Sequence, residues 1–148
     1  MEPDGRTSIQ RVFLVRHGET EWSLSGQHTG RTDIPLTQNG RTMPRLLAPV
    51  LAKVAFARVF TSPLTRARET CALAGLGERA EIDENLMEWN YGDYEGLTTK
   101  QIEARAPGWL LFRDGCPGGE SPDDAGRRVD TMIERVRSVK EHVALFAH

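Results

Sequence analysis

Arg11-Val12-Phe13-Leu14-Val15-Arg16-His17-Gly18 is the stretch on which the reading of this chain turns. Val12 to Val15 is an unbroken apolar run rich in β-branched and aromatic types, which predicts a strand buried on both faces. The run stops at a cation, an imidazole and a glycine. In open α/β sheets, ligands bind beyond the carboxyl ends of strands, and glycine lets backbone approach a ligand closely. A lone histidine is more often a surface or core residue than a catalyst, so the rest of the chain has to supply the context.

Three further apolar runs read as strands: Ala57 to Thr61, Ala80 to Asp83 and Val143 to Ala147. Helical segments alternate with them. Thr37 predicts the N-cap of a helix whose apolar positions are Leu46, Leu47, Val50, Leu51 and Val54. Pro44 and Pro49 fall within it, and an interior proline loses a backbone bond and clashes with the turn before it, so a break near Pro44 is expected. Ser62-Pro63 predicts another helix start, with Pro63 at the favoured first position. Thr98-x-x-Gln101 is a capping-box pattern. Ser121-Pro122-Asp123-Asp124 opens the last helix, with Ala125, Val129, Met132, Ile133 and Val136 as its buried face. Glu19 to Pro35, Asn85 to Gly96 and Pro107 to Ser121 read as irregular, glycine-rich loops. The alternation predicts an α/β fold, a three-layer sandwich around a largely parallel central sheet.

At 148 residues one domain accounts for the chain, read as a mobile lead-in over 1–10 and a folded domain over 11–148. A net charge of −2 supplies no basic field for nucleic acid or an anionic membrane, so neither is expected as a partner. No apolar run approaches the roughly 18 residues of a membrane span, and the N-terminus lacks the apolar core of a signal peptide. Cys71 and Cys116 have no metal-ligand spacing and read as structural thiols of a reducing, cytoplasmic compartment.

Four ordered blocks carry a resemblance: Arg16-His17-Gly18-Glu19-Thr20; Gly30-x-x-Asp33-x-Pro35-Leu36-Thr37-x-x-Gly40; Thr61-Ser62-Pro63-Leu64-x-Arg66-Ala67-x-x-Thr70; and Glu88-x-x-Tyr91-Gly92-x-x-Glu95-Gly96. With Phe146-Ala147-His148 they resemble the histidine phosphatase superfamily, the phosphoglycerate-mutase-like fold. The resemblance implies a phosphomonoester hydrolase acting through a phosphohistidine on His17, with Glu88 as general acid and base. It implies Arg16, Arg66 and a protonated His148 as cations on the phosphoryl oxygens. Ser23, Thr29 and Gly30 would join Arg16, Arg66 and His148 in contacting substrate, although the family often has an asparagine where Ser23 stands. His28 is a further candidate for the pocket, Glu19 for fixing loop geometry, and Asp33 for an Asx-type turn. His142 is expected to be exposed.

No metal or cofactor is expected, since side-chain cations can do that work. The expected partner is a small phosphate ester such as a sugar phosphate; oligomeric state is unreadable. In mutases of the family an arginine follows the catalytic glutamate, whereas Trp89 stands here, and the Trp109 to Ser121 stretch is similar to actinobacterial-type acid phosphatases. Phosphoglycerate-mutase-type transfer and a non-catalytic phosphate-binding remnant are the alternatives. The resemblance also implies a glycine after the second histidine and further elements beyond it. The domain is therefore expected to be truncated at its C-terminus, and the 148-residue chain to be poorly stable and weakly active.

Overall fold

Strands β1 (Val12–Arg16), β2 (Phe56–Thr61), β3 (Ala80–Ile82) and β4 (His142–Ala147) form one sheet, all parallel, in the order β1-β4-β2-β3. The computed structural model describes residues 9–148. The expected lead-in over 1–10 thus lies outside the described residues as far as residue 8. Gln10 itself is tied down, its side-chain amide donating to the carbonyls of Val136 at 2.9 Å and Val139 at 2.6 Å.

Helices α1 (Glu21–Ser25), α2 (Thr42–Leu51), α3 (Thr65–Leu73), α4 (Thr99–Arg105), α5 (Leu111–Asp114) and α6 (Pro122–Arg137), with four short 3-10 turns, complete the described elements. Successive strand residues point to opposite faces, and the two faces build separate cores. Ala144 and Phe146 of β4 pack with Phe56, Val59, Leu51 and Cys71 on the side of α2 and α3. Val143 and Leu145 pack with Phe60, Met132 and Val136 on the side of α6. A third apolar cluster, with Trp89, Tyr91, Tyr94, Ile102 and Trp109 at its centre, holds the loops together. Full burial of Phe60 and Phe146 makes each worth about 3–5 kcal/mol against alanine.

Several expectations change. β1 is a strand, but it lies at the sheet edge: Leu14 is 77% exposed and only Phe13 and Val15 pack against the core. The break near Pro44 comes slightly earlier. A 3-10 turn at Asn39–Arg41, its Gly40 N–H donating to the Thr37 hydroxyl at 2.9 Å, hands over to α2. Pro44 then falls in the first turn of α2, where no N–H is needed, and Pro49 in its last turn. Residues Glu21–Ser25, read as loop, form a short helix closed by a capping box between Thr20 and Ser23. Leu111–Asp114 is likewise a single helical turn.

Both patterned capping sites are present, Thr98 with Gln101 and Ser121 with Asp124. Ser62 does not cap α3. Asp33 does so from a distant loop, accepting from the Thr65 amide at 2.8 Å and its hydroxyl at 2.7 Å. On α6, Ala125, Met132 and Val136 are buried, but Val129 and Ile133 are nearly half exposed. No helix among the described residues is long and apolar enough to cross a membrane.

Candidate active site

Parallel pairing puts the carboxyl ends of all four strands along one edge, and this register assembles the site. Arg16 on β1 is paired with Ala147 on β4, so the next residue on each strand, His17 and His148, stand side by side. Their ring centroids are 5.2 Å apart, and the His17 amide donates to the Ala147 carbonyl at 3.0 Å. On the other side of β4, the Ser62 amide just past β2 donates to the Phe146 carbonyl at 2.9 Å. Ser62 Oγ lies 2.9 Å from His148 Nε2.

His17 is buried, and its Nδ1 lies 2.7 Å from the Gly18 carbonyl. A carbonyl only accepts, so the proton sits on Nδ1 and Nε2 keeps its lone pair. Burial, with Arg16 and Arg66 nearby, lowers the pKa of His17 to about 4, although the Gly18 carbonyl opposes the shift. His148 is lowered further, to about 2, by burial first and then by Arg66, His17 and Arg16. Burial and the neighbouring cations thus favour the neutral form of both rings, against the protonation expected of His148.

Arg66 is fully buried on α3, where its guanidinium faces backbone. Nη1 donates to the Thr32 carbonyl at 3.0 Å, and Nη2 to those of Gly30 at 2.8 Å and Thr29 at 3.3 Å. Glu95 fixes that loop in turn by accepting from the amides of Gly30 at 2.7 Å and Thr32 at 3.1 Å. A β-carbon on Gly30 would fall 2.3 Å from the Trp89 carbonyl, so glycine is required there. Thr29 and Gly30 thus act on Arg66 through their carbonyls. Arg66 Nε and His148 Nδ1 are buried without a hydrogen-bond partner among the described residues. Arg66 acts electrostatically on His148, and each of these nitrogens calls for an acceptor where it carries a proton.

Glu88 sits in an irregular segment after the 3-10 turn at Glu84–Leu86, and its Oε1 accepts from the Trp89 amide at 2.7 Å. Burial raises its pKa, outweighing the Trp89 amide, Arg66, Arg128 and Arg16, which pull it down. Sequence alone left that contest open. Glu88 and His148 border one cavity of about 380 Å³, which runs out past Trp89, Phe112 and Arg128. Arg16 is exposed and makes no side-chain hydrogen bond among the described residues.

Other candidates are placed elsewhere. The Ser23 hydroxyl is engaged with Thr20, accepting from its amide at 2.9 Å and donating to its carbonyl at 2.8 Å. His28 stacks on Tyr91 at 4.8 Å and reaches Thr99 Oγ1 at 3.1 Å, inside the loop cluster. Glu19 does fix loop geometry, accepting from the Thr37 hydroxyl at 2.6 Å and the Asn39 amide group at 3.1 Å. His142 is half-buried as the first residue of β4, and its Nδ1 accepts from the Arg11 amide at 3.2 Å. Sequence reading missed the Glu120–Arg128 pair, at 2.6 Å, although its Gly119-Glu120-Ser121 context lay beside a recognised cap.

Residues 12–148 match the family described as "Histidine phosphatase superfamily (branch 1)". The chain is 44% identical over 125 residues to an acid phosphatase of Mycobacterium tuberculosis, covering 83% of this chain and 61% of that one. It is 37% identical over 171 residues to sedoheptulose 1,7-bisphosphatase of Saccharomyces cerevisiae, covering 93% of this chain and 63% of that one. Among solved structures, the product of an open reading frame of Mycobacterium tuberculosis superimposes with a TM-score of 0.88 at 39% identity, over 94% of this chain and 74% of that one. Native mycobacterial glucosyl-3-phosphoglycerate phosphatase gives 0.79 at 31% identity, over 91% and 72%. The chain spans about three-fifths of the length of these two curated relatives.

Proposed function

The chain belongs to branch 1 of the histidine phosphatase superfamily, and from that premise we propose that it hydrolyses small phosphomonoesters through a phosphohistidine on His17. One observation carries the reading. A neutral His17 with its proton on Nδ1 has its ring 5.2 Å from that of His148, and two buried nitrogens, His148 Nδ1 and Arg66 Nε, lack a hydrogen-bond partner among the described residues. A phosphoryl group supplies the acceptors those nitrogens lack, and a phosphorus atom for His17 to attack.

The steps follow from the residues. Arg16 and the Arg66 Nε–H hold phosphoryl oxygens, Arg16 as a mobile fork and Arg66 as a fixed donor. The Ser62 hydroxyl, which accepts from the Leu64 amide at 3.3 Å, lies 2.9 Å from His148 Nε2 and in this reading gives that nitrogen its proton. His148 then carries its own proton on Nδ1 and can donate to a phosphoryl oxygen while neutral. His17 Nε2 attacks phosphorus as the ester P–O bond breaks. Glu88, protonated because burial raises its pKa, gives its proton to the leaving oxygen. As carboxylate it next takes a proton from water, which attacks the phosphohistidine, releases phosphate and restores His17.

Sugar phosphates are the substrate class supported by the names of the relatives, which include sedoheptulose 1,7-bisphosphatase and glucosyl-3-phosphoglycerate phosphatase. Mutase chemistry has less support. Trp89 occupies the position after Glu88, is almost wholly buried, and donates its indole N–H to the Glu120 carbonyl at 3.1 Å, so no cation there holds a second phosphate. The unpaired, buried Cys71 and Cys116 suit a reducing, cytoplasmic location. The test is trapping of labelled phosphoryl groups by a denaturing quench kept alkaline, in which phosphohistidine survives, during turnover of sugar phosphates. Label should appear on histidine in the wild-type chain and be absent from His17→Ala. Phosphate release with label retained in His17→Ala would overturn the reading.

A further inference from the structure

Past the 3-10 turn at Glu84–Leu86 the segment that carries Glu88 has no regular secondary structure, yet a general acid must be held within hydrogen-bond reach of its target. Residues 85 to 90 are also fastened to one ion pair. Arg128, on α6, donates through Nη1 to the carbonyls of Asn85 at 3.0 Å and Met87 at 2.7 Å. Its Nε and Nη2 donate to Glu120 at 2.6 and 3.0 Å. Glu120 then takes the far end of the segment. Its Oε2 accepts from the Asn90 amide at 2.8 Å, its amide donates to the Asn90 carbonyl at 2.9 Å, and its carbonyl accepts the Trp89 indole at 3.1 Å.

Glu88 is therefore bracketed, with Arg128 gripping two carbonyls before it and Glu120 gripping the residues after it. The side chains are only 16% and 13% exposed, which separates this pair from a solvated surface bridge. Four of the five N–H groups of Arg128 are already engaged, which leaves little to offer a substrate even though it borders the same cavity as Glu88. We propose that Arg128 and Glu120 are positioning residues, a clamp that holds Glu88 at the leaving-group oxygen. This rests on the reading of Glu88 as the acid.

The test uses the full 148-residue chain with two substrates, glycerol phosphate, whose alkoxide needs a proton, and p-nitrophenyl phosphate, whose leaving group does not. Glu88→Gln sets the baseline and should lose far more on glycerol phosphate. Arg128→Met should share that bias in kcat/KM, which reports phosphoryl transfer to His17 and leaves out the hydrolysis step common to both substrates; on glycerol phosphate it should fall about 100-fold, the cost of misplacing a catalytic group by about 1 Å. On p-nitrophenyl phosphate the loss in kcat/KM should be only a few-fold. Adding Arg128→Met to Glu88→Gln should cost nothing more, because the clamp acts only through Glu88. If Arg128→Met gives no cooperative melt, Arg128→Lys replaces it; lysine keeps the charge but cannot span both carbonyls and the carboxylate, so the same bias is expected. Equal losses in kcat/KM on the two substrates, or full additivity in the double variant, would overturn the clamp while leaving Glu88 as the acid. A Glu88→Gln variant indifferent to leaving group would overturn the acid assignment and the clamp with it.

Discussion

At the scale of single residues, the site is governed by desolvation. His17 titrates at about 4 chiefly because it is buried, and Glu88 titrates above its ordinary range for the same reason. Burial disfavours charge, so it lowers an imidazole and raises a carboxyl, and the two shifts cooperate. The nucleophile is neutral above about pH 4, while the acid keeps its proton to a higher pH than a solvated glutamate. kcat/KM should therefore rise as pH climbs through about 4 and fall again as Glu88 ionises. The substrate's own ionisation near about pH 6 is common to all variants, so comparison removes it. Glu88→Gln should flatten the high-pH limb and leave the low-pH limb in place, as read from kcat/KM between pH 3.5 and 8. A high-pH limb unchanged by that substitution would assign it to another group. The identity of His17 was legible from Arg16-His17-Gly18, but its protonation state was not, because that depends first on burial by the fold and then on cations that include Arg66, 49 positions away.

At the scale of elements, local signals were read well and long-range ones poorly. Capping boxes are local, so Thr98 and Ser121 announced their helices. The cap of α3 comes from Asp33, which no pattern within that helix could reveal. Val12 to Val15 announced a strand, but its place at the edge of β1-β4-β2-β3 is a property of the other strands. The α6 periodicity gave the direction of its buried face but not its width, which the sheet beneath decides. The glycine of Arg16-His17-Gly18 has an element-scale reason of its own. A β-carbon on Gly18 would sit 2.0 Å from the Gly40 carbonyl oxygen, where the end of β1 crosses the turn before α2. Gly18→Ala should thus force backbone apart and cost about 1–3 kcal/mol or more. Gly126, on the exposed side of α6, meets nothing within 4 Å, and Gly126→Ala should gain about 1 kcal/mol of helix propensity. Thermal melts of the two variants should move in opposite directions; a neutral Gly18→Ala would mean that the crossing is looser than this geometry.

At the scale of the whole molecule, the sheet that assembles the site also makes the fold sensitive to acid. His17 and His148 are neutral in the folded chain, with pKa values of about 4 and about 2, whereas the unfolded chain would protonate both near 6.5. A depressed histidine means that the unfolded state binds more protons below about pH 6.5. The stability these two residues confer is therefore complete above that pH and is lost as pH falls toward their folded values. For His17 alone the loss by pH 4 is about 3 kcal/mol, and the coupled His148 adds to it. Glu88 acts in the opposite sense, since its raised pKa lets the folded chain take a proton early, but it is one group against two. Small domains hold only about 5–15 kcal/mol in total, so the effect should be visible. Tm should drop between pH 7.5 and pH 4.5, and a His17→Asn/His148→Asn variant should drop less over the same interval. Inorganic phosphate discriminates further. Its charge favours protonated rings, so the Tm gain it gives the wild-type chain, taken relative to the gain of the double variant, should be larger at pH 4.5 than at pH 7.5; phosphate's own loss of charge in acid is common to both and cancels. Wild-type and double-variant Tm curves that run parallel with pH would show that the two histidines do not set the acid limit, and that exposed carboxylates do.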